Sequence, residues 1–244
     1  MTPVERLRLE KAASDCGFEL TPLLRDENTL ELKSAAFPES LCIAMAADGQ
    51  FQLTASKVEL LERPDASDSM TVQGFAALYA ALQRASATAR TLPNRVADQF
   101  RAHAAKLPAT TEAERLVIQR VGQDLFRAAL LDYWQGTCCV TGLAIPSLLR
   151  ASHIQPWAKC ATDEERLDVF NGLLLAPHVD ALFDGGWISF SDAGAMVISA
   201  ALPDVARTQL GICEDWRIAG LRPRHAPYLA LHRQHELRRQ GLGR

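Results

Sequence analysis

The chain has 244 residues, of which 48% are hydrophobic and 23% are charged, so it can bury a core as one large domain or two small ones. Its 26 Lys and Arg residues against 29 Asp and Glu residues give a net charge of −3, which excludes a uniformly basic nucleic-acid coat but not local basic patches. No stretch approaches the roughly 18 consecutive apolar residues that span a bilayer.

The N-terminus and the cysteines predict where the protein resides. The first residues, MTPVERLRLEKAASDCGF, are too charged for a secretory signal. The six cysteines show no framework spacing, and reduced thiols explain them better than disulfides. We therefore expect a soluble, cytoplasmic protein that does not enter a membrane.

The first part of the chain predicts a helix followed by a small antiparallel sheet. Apolar side chains at helical spacing predict a helix over residues 4–16. Short apolar runs then predict strands in FEL, TLEL, SLCIAMA and FQLTA, with Asp48-Gly49 as a hairpin turn. Residues 57–70 are polar, contain Pro64 and are expected to form a loop.

Two helical segments are predicted next, at about residues 72–87 and 94–106. Residues 1–70 hold 7 Lys and Arg against 13 Asp and Glu, whereas residues 71–108 hold 5 against 1. The basic segment fits a DNA-facing surface and ordinary solvated helix faces equally well, and both interpretations stay open.

A domain joint is predicted around Pro108 and Thr110-Thr111. We expect an N-terminal α+β domain over residues 1–110 and a C-terminal domain over residues 111–244. The second domain should begin with a long helix that Thr111 caps, since a Glu follows three residues later.

Residues 133–190 predict the order strand, strand, helix, with polar residues at the junctions. A β-prone run lies around Cys138–Val140, and a second run ends at His153 and is followed by Pro156-Trp157. Asn171-Gly172 forms a tight turn before an apolar run over residues 173–176. A short helical stretch over residues 178–183 follows and ends before Gly185-Gly186.

Three of these segments, SHIQPW, NGLLL and HVDALFDGG, together resemble the HNH nuclease family. More narrowly, they are similar to a branch found in bacterial restriction endonucleases, which shows Ala/Ser-His-Ile-x-Pro-Trp, Asn-Gly-Leu and Asp-x-x-Phe-Asp-x-Gly. Three motifs in the right order and spacing are specific. The resemblance implies a C-terminal nuclease domain whose ββα-metal core, at about residues 133–190, holds one divalent ion over a DNA phosphate. The expected fold class is α+β, with a small antiparallel sheet and helices in the N-terminal domain.

The resemblance assigns His153 as the general base and Asn171 as a residue that supports the site. An imidazole suits the deprotonation of water because its pKa lies near neutrality. The amide of Asn171 can bind backbone across the loop and hold the two strands in register. Without the companion motifs, His153 would be read as a structural histidine and Asn171 as an ordinary turn residue.

The metal ligands implied by the resemblance are Asp180 and Asp184, nine and thirteen residues after the Asn. Residues at i and i+4 share one helix face, so both carboxylates can approach one ion, which we expect His153 to face. The alternative is a pair of solvated or capping acids. His178 lies two residues too early for the family pattern and is a further candidate ligand, a phosphate contact or a bystander.

One departure from the family pattern concerns the metal. Many members carry Asp or His directly before the base, where this chain has Ser152. Water and phosphate oxygens can complete an oxygen-rich site, which favours Mg²⁺ or Mn²⁺ over Zn²⁺. A structural zinc site is not expected, because the partner positions of Cys138 are not thiols, and we expect Cys138 and Cys139 to be one core and one semi-exposed thiol.

Basic residues near the motifs and in the C-terminal stretch are candidate nucleic-acid contacts. They are Arg150, Arg222, Arg224 and Arg233, and an amphipathic helix with ordinary solvated charges explains the C-terminal ones equally well. The sequence thus predicts a metal-dependent DNA endonuclease of restriction or defence type whose N-terminal domain selects the target. One site per chain suggests a homodimer or sequential nicks. The alternative is a catalytically weak DNA-binding or regulatory module that keeps the ββα fold.

Overall fold

A computed structural model describes residues 1–46, 49–62, 68–108 and 111–238. The chain divides into two compact units, Met1–Arg90 and Thr91–Arg244. The division lies earlier than the expected joint near residue 110, because the helix after Arg90 packs into the core of the second unit through Val96, Ala97 and Phe100. Within the described ranges, none of the helices combines the length and the hydropathy that a bilayer span requires.

The first unit is an antiparallel sheet with two helices. Its elements are α1 (Pro3–Asp15), β1 (Leu20–Asp26), β2 (Thr29–Lys33), β3 (Leu41–Met45), β4 (Gln50–Ala55), β5 (Ser69–Gln73) and α2 (Gly74–Arg90). The strands pair in the order β1-β2-β3-β4-β5, each antiparallel to the next. Leu30, Ile43 and Leu53 face one another in register and are fully buried, as an alternating pattern requires when one sheet face is covered. The small N-terminal sheet is therefore confirmed.

Two details of this unit differ from the sequence prediction. Strand β5 occupies the end of the expected loop and the start of the expected helix, and its polar residues (Ser69, Thr71 and Gln73) give little sign of a strand. Asp48 and Pro64 lie outside the described residues. Strands β3 and β4 pair antiparallel, with Met45 opposite Phe51.

The second unit combines helices with two short antiparallel strand pairs. Its elements are α3 (Pro93–Ala104), α4 (Glu112–Tyr133), β6 (Arg150–His153), α5 (Asp163–Arg166), β7 (Gly172–Leu175), α6 (Pro177–Asp184), β8 (Ile188–Phe190), β9 (Met196–Ile198), α7 (Asp204–Gln209) and α8 (Ala226–His235). Thr111 and Glu114 form the predicted capping box at the start of α4. The α+β class expected for the whole chain is confirmed.

The first strand of the ββα segment is β6, not the run at Cys138–Val140. That run forms a turn, closed by the Cys138 N–H donating to Leu143 O (2.9 Å) and the Gly142 N–H donating to Cys138 O (3.0 Å). Both thiols are buried, so the expectation of one semi-exposed cysteine is wrong. The Cys138 Sγ accepts the Ala176 N–H at 3.2 Å, which ties the turn to the start of α6.

Candidate active site

Strands β6 and β7 and helix α6 form a continuous ββα frame. The strands pair antiparallel, with Ser152 opposite Leu173 and His153 opposite Gly172. Helix α6 starts directly after β7, and Pro177 occupies its first turn, where the missing N–H costs nothing. Both α6 and α4 contact β6. Successive residues of β6 therefore face different neighbours.

Ser152 meets the two aspartates of α6. Asp180 and Asp184 are one helical turn apart, and the Ser152 hydroxyl donates to Asp184 Oδ1 at 2.9 Å. Burial raises the pKa of both carboxyl groups, and for Asp180 the neighbouring charge of Asp184 raises it further. The Ser152 hydroxyl opposes the rise in both pKa values, as does the charge of Arg150 for Asp180. The two acids are thus held together at an electrostatic cost that a bound cation would remove.

The donor set fits a hard divalent cation with an incomplete protein shell. Two carboxylates and a hydroxyl supply only oxygen atoms, which is the chemistry that Mg²⁺ and Mn²⁺ prefer. Nowhere in the described ranges do three or more His, Cys, Asp or Glu side chains form a group that could hold a metal ion. Asp180 and Asp184 would therefore need water and phosphate oxygens as further ligands.

His153 lies on the opposite side of β6, against α4. Its ring stacks on Phe126 with the centroids 3.8 Å apart and the planes 15° from parallel. The Trp157 ring is nearly perpendicular to it (87°), with the centroids 5.6 Å apart. Nε2 lies 2.8 Å from the carbonyl oxygen of Arg166. Because a carbonyl can only accept, Nε2 carries the proton and Nδ1 presents its lone pair.

Two features make the His153 ring a neutral base. Burial lowers its pKa to about 4, although the contact with the Arg166 carbonyl raises it in part. Because Nε2 carries the ring proton, Nδ1 keeps a lone pair that can accept one. The imidazole is therefore unprotonated near neutral pH and can accept a proton.

This placement differs from the expectation that His153 directly faces Asp180 and Asp184. In the described part of the chain, no hydrogen bond or ion pair joins the ring to either aspartate. The physical reason is the period of a strand: adjacent residues point to opposite faces, so Ser152 takes the face toward α6 and His153 the face toward α4.

Asn171 ties the loop after β6 to the start of β7. It is fully buried, and its Oδ1 accepts the Gln155 N–H at 2.7 Å. Its Nδ2 donates to the carbonyl oxygens of Glu165 (3.0 Å) and Gln155 (3.3 Å), and it lies 3.4 Å from the Cys160 sulfur. These are the contacts of a residue that positions the loop and does not touch the reacting atoms.

Two supporting residues were missed in the sequence. Gly172, opposite His153, has no room for a side chain, because a Cβ there would lie 2.6 Å from Phe126 Cζ. Asp168 is buried, and its Oδ1 accepts the Phe170 N–H at 2.9 Å just before Asn171. The tight-turn dipeptide Asn171-Gly172 was a partial signal for Gly172, whereas nothing in the sequence pointed to Asp168.

His178 is not brought to the carboxylate pair. It is exposed, and its ring lies 5.8 Å from that of Trp216. Two residues along a helix correspond to about 200° of rotation, so the side chains of His178 and Asp180 point in nearly opposite directions. The shifted-register interpretation of His178 as a ligand therefore has no support from this geometry.

Only one of the four candidate arginines is exposed beside the carboxylates. Arg150 lies at the start of β6 on the same face as Ser152, and its charge acts on Asp180. Arg222 is buried. Arg224 lies 3.7 Å from Asp168 Oδ2, and Arg233 donates to Phe190 O (2.6 Å) and to Asp192 (2.6 Å). The last three arginines are therefore engaged within the fold.

Comparison with known proteins gives a family match for the segment that contains the ββα frame. Residues 138–191 match a family model described as HNH endonuclease, so the resemblance noted in the sequence is confirmed over this segment. No curated protein matches the chain. The family match implies a nuclease-type function with DNA as the substrate, and nucleases of this family generally use a divalent metal.

Proposed function

We propose that the protein is an endonuclease that hydrolyses DNA phosphodiester bonds with one divalent cation, Mg²⁺ or Mn²⁺. The observation that carries this proposal is the meeting of Ser152 with Asp180 and Asp184, where burial raises both carboxyl pKa values. Two carboxylates are more stable when they are far apart and hydrated than when they are buried side by side. A buried pair of this kind is therefore typical of a cation site. A divalent cation bound there would neutralise negative charge on the phosphate and on the departing oxygen.

We assign the proton transfer to His153 Nδ1. The Arg166 carbonyl fixes the ring in the tautomer that leaves Nδ1 free, and the depressed pKa keeps it unprotonated at neutral pH. Nδ1 accepts a proton of the attacking water, and the oxygen of that water forms the new bond to phosphorus as the bond from phosphorus to the 3′ oxygen breaks. The departing 3′ oxygen takes its proton from solvent water. Asn171 keeps the loop in place during this step. Arg150 binds a non-bridging phosphate oxygen, because its exposed guanidinium lies beside the carboxylates.

The cellular role that fits best is restriction or defence in the cytoplasm. Support comes from the motif branch and from the six cysteines, all of which are free thiols, as in a reducing compartment. The first unit would select the target DNA. Since each chain carries one ββα frame, double-strand cleavage would use a homodimer or two successive nicks.

A supercoiled plasmid tests the reaction. The purified protein is incubated with the plasmid in Mg²⁺, in Mn²⁺ and in EDTA, alongside His153→Ala, Asp184→Asn and the control Asp192→Asn. Removal of a general base typically costs about 10²- to 10⁴-fold in rate. We expect both site variants to lose nicking by at least about 100-fold and the control to cut normally. Nicking that survives EDTA, or that persists in His153→Ala, would contradict the mechanism.

A second function, a DNA-binding or regulatory module, is favoured by two observations. The His153 ring is stacked inward on Phe126, and Ser152 replaces a stronger metal ligand. Retarded migration of the plasmid without any cleavage, in both metals, would favour this alternative. The retardation would then remain in His153→Ala and fall in Arg150→Ala.

A further inference from the structure

Three residues of the C-terminal stretch contact the turn that precedes Asn171. They are Arg224, His225 and Tyr228, named here the C-terminal clamp, and their partners are Asp168 and Phe170. The segment was a candidate for nucleic-acid binding because it is rich in arginine. In the structure these three side chains contact Asp168 and Phe170, although the Arg224 side chain stays 42% exposed.

Each side chain of the clamp makes a different contact. The Tyr228 hydroxyl donates to Asp168 Oδ2 at 3.2 Å, and the Arg224 guanidinium lies 3.7 Å from the same oxygen. The guanidinium also lies 4.4 Å from the centroid of the Phe170 ring. The ring of His225 is fully buried and approaches Phe170 edge-on, with the centroids 5.2 Å apart.

Asp168 connects the C-terminal clamp to the segment that contains Arg166 and Asn171. Its Oδ1 accepts the Phe170 N–H at 2.9 Å, which fixes the turn that places Asn171. Two residues before it, the carbonyl of Arg166 holds Nε2 of His153. A buried carboxylate needs partners for its charge, and Arg224 and Tyr228 supply them at Oδ2 as the Phe170 N–H does at Oδ1.

We propose that the C-terminal clamp is a positioning device for the general base: through Asp168 it holds the Arg166 carbonyl against His153 and so keeps Nδ1 free. This inference rests on the proposed function, since it concerns the same site. It assigns Arg224 and Tyr228 as positioning residues and not as DNA contacts. The two roles make opposite predictions for enzyme kinetics.

Kinetics of Tyr228→Phe and Arg224→Ala, in the full chain with Mn²⁺, separate the two roles. A misplaced base lowers kcat and leaves KM for the plasmid unchanged, and a loss of about 10- to 100-fold is expected. Lost phosphate contacts would instead raise KM and reduce the dependence of log K on log salt by about one unit for each contact. The matched controls are Tyr79→Phe, which removes an exposed hydroxyl contact to Asp15, and Arg207→Ala, which removes exposed ion pairs.

A second measurement does not depend on activity. NMR of the histidine ring protons reports whether Nε2–H of His153 stays protected from exchange with solvent. We expect this signal in the unaltered protein and at least about tenfold faster exchange in Tyr228→Phe, because the Arg166 carbonyl is then less firmly held. If the protein never cuts DNA but the signal responds, the proposed function fails and the clamp stands. If the signal and kcat are both unchanged, or only KM and the salt dependence change, the clamp is wrong.

Discussion

Replacement of Gly172 by Ala isolates the packing that supports His153. The backbone at Gly172 is extended (φ −143°, ψ 145°), a conformation that alanine adopts without strain, so any effect is steric. The new Cβ would lie 2.6 Å from Phe126 Cζ and 2.7 and 2.8 Å from the two methyl carbons of Leu130. Phe126 and Leu130 are fully buried on α4 and have no free space to enter.

The size of the effect follows from these three contacts. Extra atoms in a packed core typically cost about 1–3 kcal/mol, and three simultaneous clashes place Gly172→Ala near 3 kcal/mol. For a unit of this size about 1 kcal/mol corresponds to roughly 2–4 °C, so the melting temperature should fall by roughly 6–12 °C. Because Phe126 stacks on His153, plasmid nicking should also fall at temperatures where the variant is still folded.

Circular dichroism melts of the full chain measure this effect. The control is Gly142→Ala, where a Cβ meets nothing within 4 Å and only the positive φ of +74° is unfavourable. The double variant Gly172→Ala/Leu130→Ala should lose less stability than the sum of the single variants, because two of the three clashes disappear. A melting temperature within about 2 °C of the unaltered protein, or a smaller fall than in the control, would refute the steric argument.

Three further predictions concern the polar residues of the site. The raised carboxyl pKa values mean that Asp180 and Asp184 bind protons more tightly in the folded protein than in the unfolded chain. The stability that this proton binding contributes is fully present below the unfolded pKa of about 3.9 and is lost as the pH rises through the folded pKa. Asp184→Asn should therefore raise the melting temperature in EDTA at pH 7 but not at pH 3, and equal shifts at both pH values would count against it. Asn171→Ala should lower the free energy of unfolding by about 3 kcal/mol in urea, because partly buried backbone groups of Gln155 and Glu165 lose their partner, and a loss below about 1 kcal/mol would disprove this. Ser152→Asp adds a carboxylate to the pair, so half-maximal thermal stabilisation should need less Mn²⁺ than in the unaltered protein.

Local patterns predicted the elements whose signals lie within a few residues. The capping box of Thr111 and Glu114 identified the start of α4, and the short apolar runs TLEL and FQLTA identified β2 and β4. Strand β5 carries mostly polar residues and exists because it pairs with β4, which no local pattern reveals. Cys138–Val140 has β-forming residues, but turn hydrogen bonds to Leu143 and Gly142 determine its conformation.

The candidate site likewise combines features that local geometry predicts with contacts that only the tertiary fold creates. The spacing of Asp180 and Asp184 places them on one helix face, and the structure adds that Ser152 reaches this face. The opposite direction of His153 also follows from local geometry, since it is the next residue of a strand. The support of His153 by Asp168 and Tyr228 joins residues 60 positions apart, so it emerges only from the fold.

The arginines show why composition alone points to the wrong surface. In the second unit several arginines donate to backbone carbonyls outside the strands or at a strand end: Arg127 to Leu149 (2.7 Å), Arg166 to Cys160 (2.7 Å) and Arg233 to Phe190 at the end of β8 (2.6 Å). Short strands leave many carbonyl groups without a ladder partner, and a guanidinium with five N–H donors can satisfy them where it also has room for its charge. An arginine-rich stretch in such a unit therefore indicates internal stabilisation as readily as DNA binding. Arg150 is distinguished from these by its exposed position beside two acids, which is the arrangement that a bound phosphate and cation would complete.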